Sequence, residues 1–436
     1  MMVRLKNKID ILFFNLIADE KPPARISHCV SSQQAALTWR ISVKKALLLE
    51  WESYGNQYMK AELRSLGYEL VSFLFSNHKE DTRKSEELAM KIASKILETA
   101  PAFVFSFNYF PVAAIACKAC RIPYLSWTYD SPFIQIYSKT IEYETNYAFV
   151  FDRAEYERLS RFAPERVFYL PMAAPIELYD QMEPDTGRRK KYAADIAMVG
   201  SMYTEPKHRI FKAIDQADDY TKGYLEALIQ AQKGLYGCSI LEEALTEDIM
   251  ARIRKVCPIV AGGDGFETAE WSFASYYLAR RVTALERREA LEALSEKYDV
   301  ALYTPEATPA LPKVRNLGTV DYYKEAPYAM KAAKINLNIT LRSIVSGIPL
   351  RAMDVMGCGG FLLTNYQEDF LEYFVPGKDY VYYEDLTDLV EKAGYYLTHE
   401  EERMAIAGSG YQKMKEQHTY HKRVRQMLTI AGLLPQ

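Results

Sequence analysis

Residues 335–364 read INLNITLRSIVSGIPLRAMDVMGCGGFLLT, and this stretch predicts the fold more directly than the rest of the chain. A buried strand is expected at Ile335–Ile339, because aliphatic residues dominate it and turn formers follow. A short helix is expected at Leu350–Met356, after which glycines lead into a second apolar strand, Phe361–Thr364. A strand, a helix and a strand in this order predict a parallel α/β unit.

The loop before this helix carries the residues that indicate a ligand. Gly347 lies in it, and a loop that opens a helix presents unpaired N–H groups and the positive end of the helix dipole to an anion. Arg351 and Asp354 are three residues apart, so they share a helix face. Arginine suits a phosphate and aspartate suits a pair of sugar hydroxyls. The stretch therefore predicts a nucleotide-sugar site.

The alternation of strands and helices extends over most of the chain. Strands in the N-terminal part are predicted at Ala46–Trp51, Tyr68–Phe75, Ala102–Phe107, Tyr124–Trp127, Tyr147–Phe151 and Val167–Leu170. Helices between them are predicted at Tyr54–Leu66, Thr82–Thr99, Val112–Cys120 and Ala154–Phe162. Such alternation predicts a parallel sheet that is covered on both faces.

A second alternation begins at Asp195–Val199, after a stretch at 171–191 whose proline, glycine and basic residues indicate a linker. The residues at 215–295 are predicted to be mostly helical, and Val300–Tyr303 resumes the strands. The last helices are predicted at Leu386–Leu397, Glu400–Lys415 and Tyr420–Ile430. The chain is therefore expected to form one domain at 1–180, a second at 190–415 and a terminal helical segment at 416–436.

Composition and charge exclude several classes of protein. The net charge is −3 and the pI is about 6.2, which does not fit a protein that neutralises nucleic-acid phosphates. No uncharged apolar run approaches the ~18 residues of a membrane-spanning helix, and the short run Ile9–Ile17 is not expected to be a signal peptide. The six cysteines are scattered, which favours free thiols and a cytoplasmic protein.

No metal site is predicted. Cys117 and Cys120 form a CxxC, but they lie in apolar helical sequence and are interpreted as structural. His418 and His421 are three residues apart and are expected at the surface or between domains. Sequence patterns of a Walker loop, a GxSxG elbow or an HExxH zinc site do not occur in the chain.

A second strand-to-helix turn resembles the first in character. Gly200 and Ser201 follow the strand Asp195–Val199 directly, and Lys207 and Arg209 come near the start of the next helix. Glycine permits close approach of a phosphate to the backbone, so this turn is a candidate for diphosphate binding. The alternative is an ordinary turn with a solvated basic helix end.

Three further turns offer candidate contacts at strand ends. Gly318 and Thr319 are predicted to contact a base through their backbone, although a plain turn has the same pattern. Asp130 follows the strand that ends at Trp127, and it is a candidate base or acceptor ligand. Aspartate before Ser-Pro also forms turns, so a structural role stays open. Glu52 is a weaker candidate of the same kind.

These residues resemble the donor-site signature of GT-B glycosyltransferases, and more closely the group 1 branch that includes the bacterial CgeB-like, spore-maturation-like proteins. The resemblance is carried by Gly347, Arg351, Asp354 and the turn Cys358-Gly359. It extends to LLLEW at 47–51, LGYE at 66–69 and the W…D-S-P turn at 127–132. It implies two Rossmann-like α/β domains that face each other across a cleft, with the C-terminal helix crossing back to the first domain.

The strand-end turns and the resemblance together give the predicted functional residues. The predicted donor-binding set is Gly200, Ser201, Lys207, Arg209, Gly318, Thr319, Asn338, Ser346, Gly347, Ile348, Pro349, Leu350, Arg351 and Asp354. The predicted acceptor side contains Glu52, Trp127 and Asp130, and the predicted catalytic residues are Asp130 and Arg351. The carboxylate of Asp354 would hold the donor ribose. Ser346 stands where many relatives have a first glutamate, so the contacts of the transferred sugar and the retaining or inverting outcome stay open.

The implied reaction is metal-independent transfer of a sugar from a nucleotide-diphosphate donor, without an obligatory cofactor. Helix N-termini and Arg351 would stabilise the departing diphosphate. The acceptor is a carbohydrate, a lipid-linked sugar, a protein or a small molecule. Two alternatives stay open: a non-catalytic nucleotide-sugar-binding module, which the Ser346 position favours, and a GT-B-type sugar-nucleotide epimerase.

Overall fold

The computed structural model describes residues 44–77, 79–204 and 209–434, and it gives only the backbone of residues 209–211. The expectations for residues 1–40, for Lys207 and for the side chain of Arg209 therefore lie outside the described residues. The described strands are Lys45–Glu50 (β1), Glu69–Leu74 (β2), Phe103–Phe107 (β3), Tyr124–Thr128 (β4), Asn146–Val150 (β5), Val167–Tyr169 (β6), Ala194–Val199 (β7), Val300–Tyr303 (β8), Arg315–Asn316 (β9), Ala333–Asn338 (β10), Leu362–Asn365 (β11) and Val381–Tyr383 (β12).

Helices connect most of these strands. They are Asn56–Ser65 (α1), Glu86–Thr99 (α2), Pro111–Cys120 (α3), Arg153–Ser160 (α4), Ile176–Gln181 (α5), Thr186–Tyr192 (α6), Arg209–Ile214 (α7), Asp219–Lys233 (α8), Glu247–Val256 (α9), Ala269–Phe273 (α10), Ala279–Ser295 (α11), Ala326–Ala332 (α12), Leu350–Gly357 (α13), Phe370–Tyr373 (α14), Leu386–Thr398 (α15), Glu400–Gln417 (α16) and Tyr420–Ile430 (α17). A π-helical segment, Ala274–Leu278, joins α10 to α11, and short 3₁₀ helices lie at Ile134–Tyr137 and Lys139–Glu142.

The strands form two six-stranded parallel sheets, which confirms the predicted α/β class. The strand orders are β2-β1-β3-β4-β5-β6 and β12-β11-β10-β7-β8-β9. In the second sheet β10 lies between β7 and β11, with Ile335 opposite Ile196 and Leu337 opposite Leu363. All four side chains are buried in one apolar core, because residues two apart on a strand face the same side of the sheet.

The described residues divide into two compact units. The first contains residues 44–127, 140–148 and 428–434, and the second contains 128–139 and 149–427. Residues 149–180, which were predicted to lie in the first domain, are grouped with the second unit; the domain limits predicted from the sequence stay a prediction. In the first unit the hydroxyl of Tyr68 donates to the carbonyl of Leu433, just beyond α17.

Several predictions about local structure were wrong. The stretch at 171–191 was expected to be a linker, but it contains α5 and α6, and the side chain of Asp185 caps α6 by accepting from the N–H of Arg188. Trp127, expected on the acceptor side, is 0% exposed and stacks on Phe107 in the core. His418, expected at the surface or between domains, is fully buried inside the second unit. An aromatic or imidazole ring at a strand or helix end can therefore face the core, which spacing alone does not reveal.

Candidate functional site

Gly200 and Arg351, which lie 151 positions apart in the sequence, meet at the carboxyl ends of β7 and β10. The φ of Gly200 is +153°, and a Cβ on this residue would lie 2.5 Å from Nη2 of Arg351. Nη1 of Arg351 donates to Oδ1 of the buried Asn338, at 3.0 Å. The positive φ favours glycine at 200, and the Arg351 guanidinium occupies the place that a side chain would take. The structure thus brings three residues of the predicted donor set together.

A buried arginine that the sequence did not indicate lies beside this group. Arg287 of α11 is 1% exposed, and its Nη2 donates to the carbonyl of Ile339 at 2.5 Å. Its Nη1 donates to the carbonyl of Ser201, and its Cζ lies 4.8 Å from the centre of the Tyr203 ring. Burial lowers the pKa of Arg287 to about 10, and the positive charge of Arg351 acts in the same direction. Two guanidinium groups thus concentrate positive charge at this edge of the second sheet.

The loop at residues 345–347 has an internal anion as its partner. Oδ1 of Asp152 accepts from the N–H groups of Ser346 and Gly347, at 3.1 and 3.0 Å, and Oδ2 accepts from the N–H of Val345 at 2.9 Å. The hydroxyl of Ser346 also donates to Oδ1, at 2.9 Å. Burial raises the pKa of Asp152, and these hydrogen bonds oppose the rise. The N–H groups of this loop are thus satisfied by a carboxylate of the chain itself, and the donor contact predicted for the loop stays a prediction.

The need for glycine at 347 follows from the same contact, not from approach to a phosphate. A Cβ on Gly347 would lie 2.7 Å from the Cα of Asp152 and 3.1 Å from the carbonyl oxygen of Phe151. These are backbone atoms at the start of α4, so they cannot rotate away as the end of a side chain could.

We expect Gly347→Ala to lower the free energy of unfolding by about 1–3 kcal/mol, because the new methyl group overlaps fixed backbone. Gly408→Ala is the matched control: Gly408 lies inside α16, and a Cβ there meets nothing within 4 Å. That control is expected to be neutral or to stabilise by up to about 1 kcal/mol. Urea unfolding of both variants measures the difference, and equal stabilities would contradict the packing that the structure gives to Gly347.

The turn after β7 is held by a second internal carboxylate. Oε1 of Glu306 accepts from the hydroxyl of Ser201 at 2.7 Å, and both of its carboxylate oxygens accept from the N–H of Met202 at 2.9 Å. Burial alone would raise the pKa of Glu306, but hydrogen bonds from Thr304, Ser201 and the Met202 backbone lower it below its ordinary value. Both turns that were predicted to hold a diphosphate therefore already satisfy several N–H groups internally.

Asp354 lies inside the unit and not at its surface. It is 2% exposed; its Oδ1 accepts from the hydroxyl of Tyr179 at 2.8 Å, and its Oδ2 accepts from the hydroxyl of Tyr322 at 2.5 Å. Burial raises the pKa of Asp354 to about 7, while the two tyrosines and Arg351 act to lower it. A carboxylate can accept about four hydrogen bonds, so two positions remain. The ribose contact of Asp354 stays a prediction.

The raised pKa of Asp354 predicts a pH-dependent stability. The folded state holds a proton on this carboxyl up to about pH 7, whereas the ordinary pKa is 3.8. The stabilisation is therefore complete below pH 3.8 and is lost as the pH rises to about 7. Asp354→Asn does not titrate, so the stability of the wild type relative to this variant should fall by about 1–3 kcal/mol between pH 5 and pH 7.5. Urea unfolding at both pH values measures this difference, and a difference that stays constant would contradict the raised pKa.

The remaining predicted residues occupy varied positions. Ile348 is buried, Pro349 is the N-cap of α13, and Leu350 begins that helix. Gly318 has a φ of +75° in a partly exposed turn, and its N–H donates to Oδ1 of Asn316, while Thr319 is exposed. Among the described residues, no contact joins Gly318 or Thr319 to Arg351.

The predicted acceptor-side residues Asp130 and Glu52 lie in different units. Asp130 is partly exposed and belongs to the second unit, next to Ser131, whose hydroxyl donates to that of Ser343 at 3.3 Å. Glu52 is exposed just after β1, in the first unit. Within the described residues, no cluster of three or more His, Cys, Asp or Glu side chains is arranged to hold a metal ion. No helix in the described part of the chain is long and apolar enough to cross a membrane.

Comparisons with known proteins agree with this architecture. Residues 280–429, which include the Arg287 and Arg351 region, match the model of a family described as glycosyl transferase-like. A search of curated protein sequences found no match. Among solved structures, the chain is similar to a sucrose-phosphate synthase from Thermosynechococcus elongatus, with a TM-score of 0.53, 10% identity, and coverage of 90% of this chain and 99% of that one.

Two further structures have the same relation to this chain. A glycosyltransferase from Rickettsia africae has a TM-score of 0.50 and 10% identity, over 89% of this chain and 99% of its own. Anabaena HepE, in complex with UDP and glucose, has a TM-score of 0.50 and 11% identity over the same shares, 89% and 99%. At these identities the likeness establishes the fold. The chain has the α/β fold of GT-B glycosyltransferases.

Proposed function

We propose that this protein transfers a glycosyl group from a nucleotide-diphosphate sugar to a hydroxyl-bearing acceptor, and that it belongs to the CgeB-like branch of group 1 glycosyltransferases. The observation that carries the function is the pair of guanidinium groups, Arg287 and Arg351, at the carboxyl ends of β7 and β10. Ligands of open α/β sheets bind at this edge. The family match over residues 280–429 and the UDP-bound neighbour support a nucleotide sugar as the donor.

In the proposed reaction an acceptor oxygen forms a bond to the anomeric carbon, and the bond from that carbon to the diphosphate oxygen breaks. The electron pair leaves with the nucleoside diphosphate, and the hydroxyl proton passes to a base. Arg351 stabilises the negative charge that develops on the leaving group, and Arg287 adds to the positive potential from behind it. If the transfer inverts the anomeric centre, Asp130 is the proposed base. The two arginines supply the charge that a metal ion would otherwise supply.

The internal carboxylates restrict how the diphosphate binds. Asp152 accepts hydrogen bonds from the N–H groups of residues 345–347, so these groups are not proposed to bind the diphosphate. The proposed contacts come from the Arg351 side chain and from the first turn of α13, where the backbone N–H groups of Leu350 and Arg351 have no partner within the helix. Asn338 fixes the Arg351 guanidinium before the donor arrives. Such preorganisation is the feature that makes electrostatic catalysis effective.

The experiment that tests this function is a donor screen followed by product analysis. UDP, GDP, ADP and dTDP are added separately to the full chain, and the matching nucleotide should raise the melting temperature in proportion to the logarithm of its concentration. The corresponding nucleotide sugars are then incubated with and without hydroxyl acceptors, and released nucleotide is measured. Release of the diphosphate with transfer or hydrolysis of the sugar is expected. Absence of any nucleotide binding, or recovery of an epimerised donor, would refute the proposal.

A second candidate function is a non-catalytic module that binds a nucleotide sugar. Ser346 carries no carboxylate of its own, and its hydroxyl is engaged by Asp152. This arrangement offers no acidic group from the loop itself to the transferred sugar. Nucleotide binding in the melting experiment together with no turnover of any donor, with or without acceptors, would favour this candidate over the enzyme.

A further inference from the structure

The second unit contains a cavity of about 280 Å³ that does not include the arginine pair. Its wall contains Ser131, Tyr137, Glu155, Trp271 and Ser343, together with Val345 of the loop at 345–347 and Asp152, which accepts hydrogen bonds from that loop. Gly200, Arg287 and Arg351 are not among the described residues that line it. The cavity therefore adjoins the signature loop but is separate from the proposed diphosphate contacts. Its volume is close to the lower end of small-molecule sites, roughly 300 Å³.

The charges around this cavity disfavour an anionic ligand. Five acidic and three basic side chains line it, and the acidic ones still outnumber the basic ones when Glu155, whose pKa of about 8 leaves it protonated at neutral pH, is not counted. Arg158, one of the basic residues, is neutralised by a bidentate pair with Glu242, at 2.6 and 2.9 Å. A phosphate placed here would meet an excess of negative charge, whereas an uncharged molecule would not.

The wall combines aromatic and polar groups in the manner that suits a sugar ring. The rings of Tyr137 and Trp271, which are 1% and 6% exposed, pack 4.2 Å apart, centre to centre, and form the apolar part of the wall. The hydroxyls of Ser131 and Ser343 can donate or accept, so they suit ligand hydroxyls of either polarity. Sites for small molecules commonly pair apolar walls with a few placed polar groups.

Glu155 contributes a carboxyl group to this wall. Its Oε2 is enclosed and has no hydrogen-bond partner among the described residues. Burial and, to a smaller extent, the nearby charge of Asp152 raise the pKa of Glu155 to about 8, while Arg158 acts to lower it. An enclosed carboxyl oxygen without a partner is costly, so a ligand hydroxyl that bonds to this group would recover free energy.

We propose that this cavity binds the acceptor as an uncharged, hydroxyl-rich ring, with Glu155 as its anchoring hydrogen-bond partner and Trp271 and Tyr137 as its apolar wall. The identification of the bound ring as an acceptor rests on the proposed transferase function, but binding of the ring does not require turnover. It names the substrate class as a neutral sugar or polyol and excludes a phosphorylated ring at this position.

Saturation-transfer NMR on the full chain tests this proposal with D-glucose, N-acetyl-D-glucosamine and L-rhamnose as separate probes. At least one sugar should bind to the wild type. Glu155→Gln should weaken its binding at least five-fold, and Ser239→Trp, at an exposed position in the cavity wall, should abolish it without altering Glu155. Glu165→Gln, an exposed residue that is not in the wall, is the matched control and should leave binding unchanged.

The nucleotide that binds in the donor screen is added to the same samples. Sugar binding that persists with the nucleotide bound supports a separate acceptor cavity, whereas displacement of the sugar by the nucleotide would overturn it. No binding of any of the three sugars, or equal binding in the wild type and Ser239→Trp, would also overturn it. These failures are distinct from failure of the transferase function, because that failure appears as absence of nucleotide binding while the sugar still binds.

Discussion

Replacing Arg351 by alanine is expected to lower kcat/KM for the donor by about 10²–10³-fold, the usual effect of removing one preorganised stabiliser of transition-state charge. The guanidinium is held by Asn338 and lies against Gly200, so it does not need to be ordered during the reaction. Lysine at this position should recover only part of the rate, because a point charge cannot donate in the same forked geometry. Steady-state kinetics with the donor found in the screen measures both variants.

The matched control for this change is Arg315→Ala. Arg315 is an exposed arginine of the same unit, paired with Asp299 at 2.6 and 2.7 Å on the edge strand β9. Its removal takes away an identical group but should leave kcat/KM unchanged within a factor of two. If Arg351→Ala folds with an unaltered melting temperature and retains full activity, the assignment of the donor site to this edge of the sheet is wrong.

Replacing Asp152 by alanine is expected to lower the free energy of unfolding by about 3–5 kcal/mol, comparable to breaking a buried charged interaction. The change leaves the N–H groups of Val345, Ser346 and Gly347 without their buried partner. It also removes the cap of α4, because Oδ1 accepts from the N–H of Ala154 at 3.2 Å. Urea unfolding gives the size of the loss.

Asp185→Ala measures the loss of an N-cap alone, so it separates the cap contribution of Asp152 from the contribution of its hydrogen bonds to the loop. Asp185 caps the exposed helix α6 by accepting from the N–H of Arg188 at 2.8 Å, and it has no comparable role in a loop. Its removal should cost about 1 kcal/mol, the usual value of an N-cap. If Asp152→Ala lowers the free energy of unfolding by no more than this, the hydrogen bonds from residues 345–347 to Asp152 contribute nothing to stability. As a second readout, inorganic phosphate should raise the melting temperature of Asp152→Ala more than that of the wild type, because the vacated N–H groups can bind it.

Much of the fold was predictable because its strands are short, apolar and bounded by turn formers. The predicted strands in 46–170 coincide with β1 to β6 within two residues at each end, and the helix at Tyr420–Ile430 has the predicted bounds. Shorter elements were missed: α12 has seven residues, two turns at most, and β12 has three residues. Patterns of period 3.6 or 2 need a longer window to be distinguished from irregular structure.

Only the site residues that lie close to predicted strand ends in the sequence could be identified in advance. Gly200, Asn338 and Arg351 could be indicated because they lie beside strand ends in sequence as well as in space. Asp152 could not, since the carboxylate that clamps Gly347 lies 195 residues earlier in the chain and follows an ordinary strand. Arg287 occupies an amphipathic helix, where an arginine normally faces solvent. Only the packing of α11 against the carbonyls of Ser201 and Ile339 reveals its burial.

The π-helical segment Ala274–Leu278 has a consequence for both proposed sites. Each added residue in a helix shifts the angular phase of everything after it by about 100°, so one wide turn reorients α11 relative to α10. Trp271 lies before the wide turn and packs against Tyr137, whereas Arg287 lies after it and reaches the carbonyl of Ser201. Because of this wide turn, one continuous helical segment directs Trp271 towards one proposed site and Arg287 towards the other.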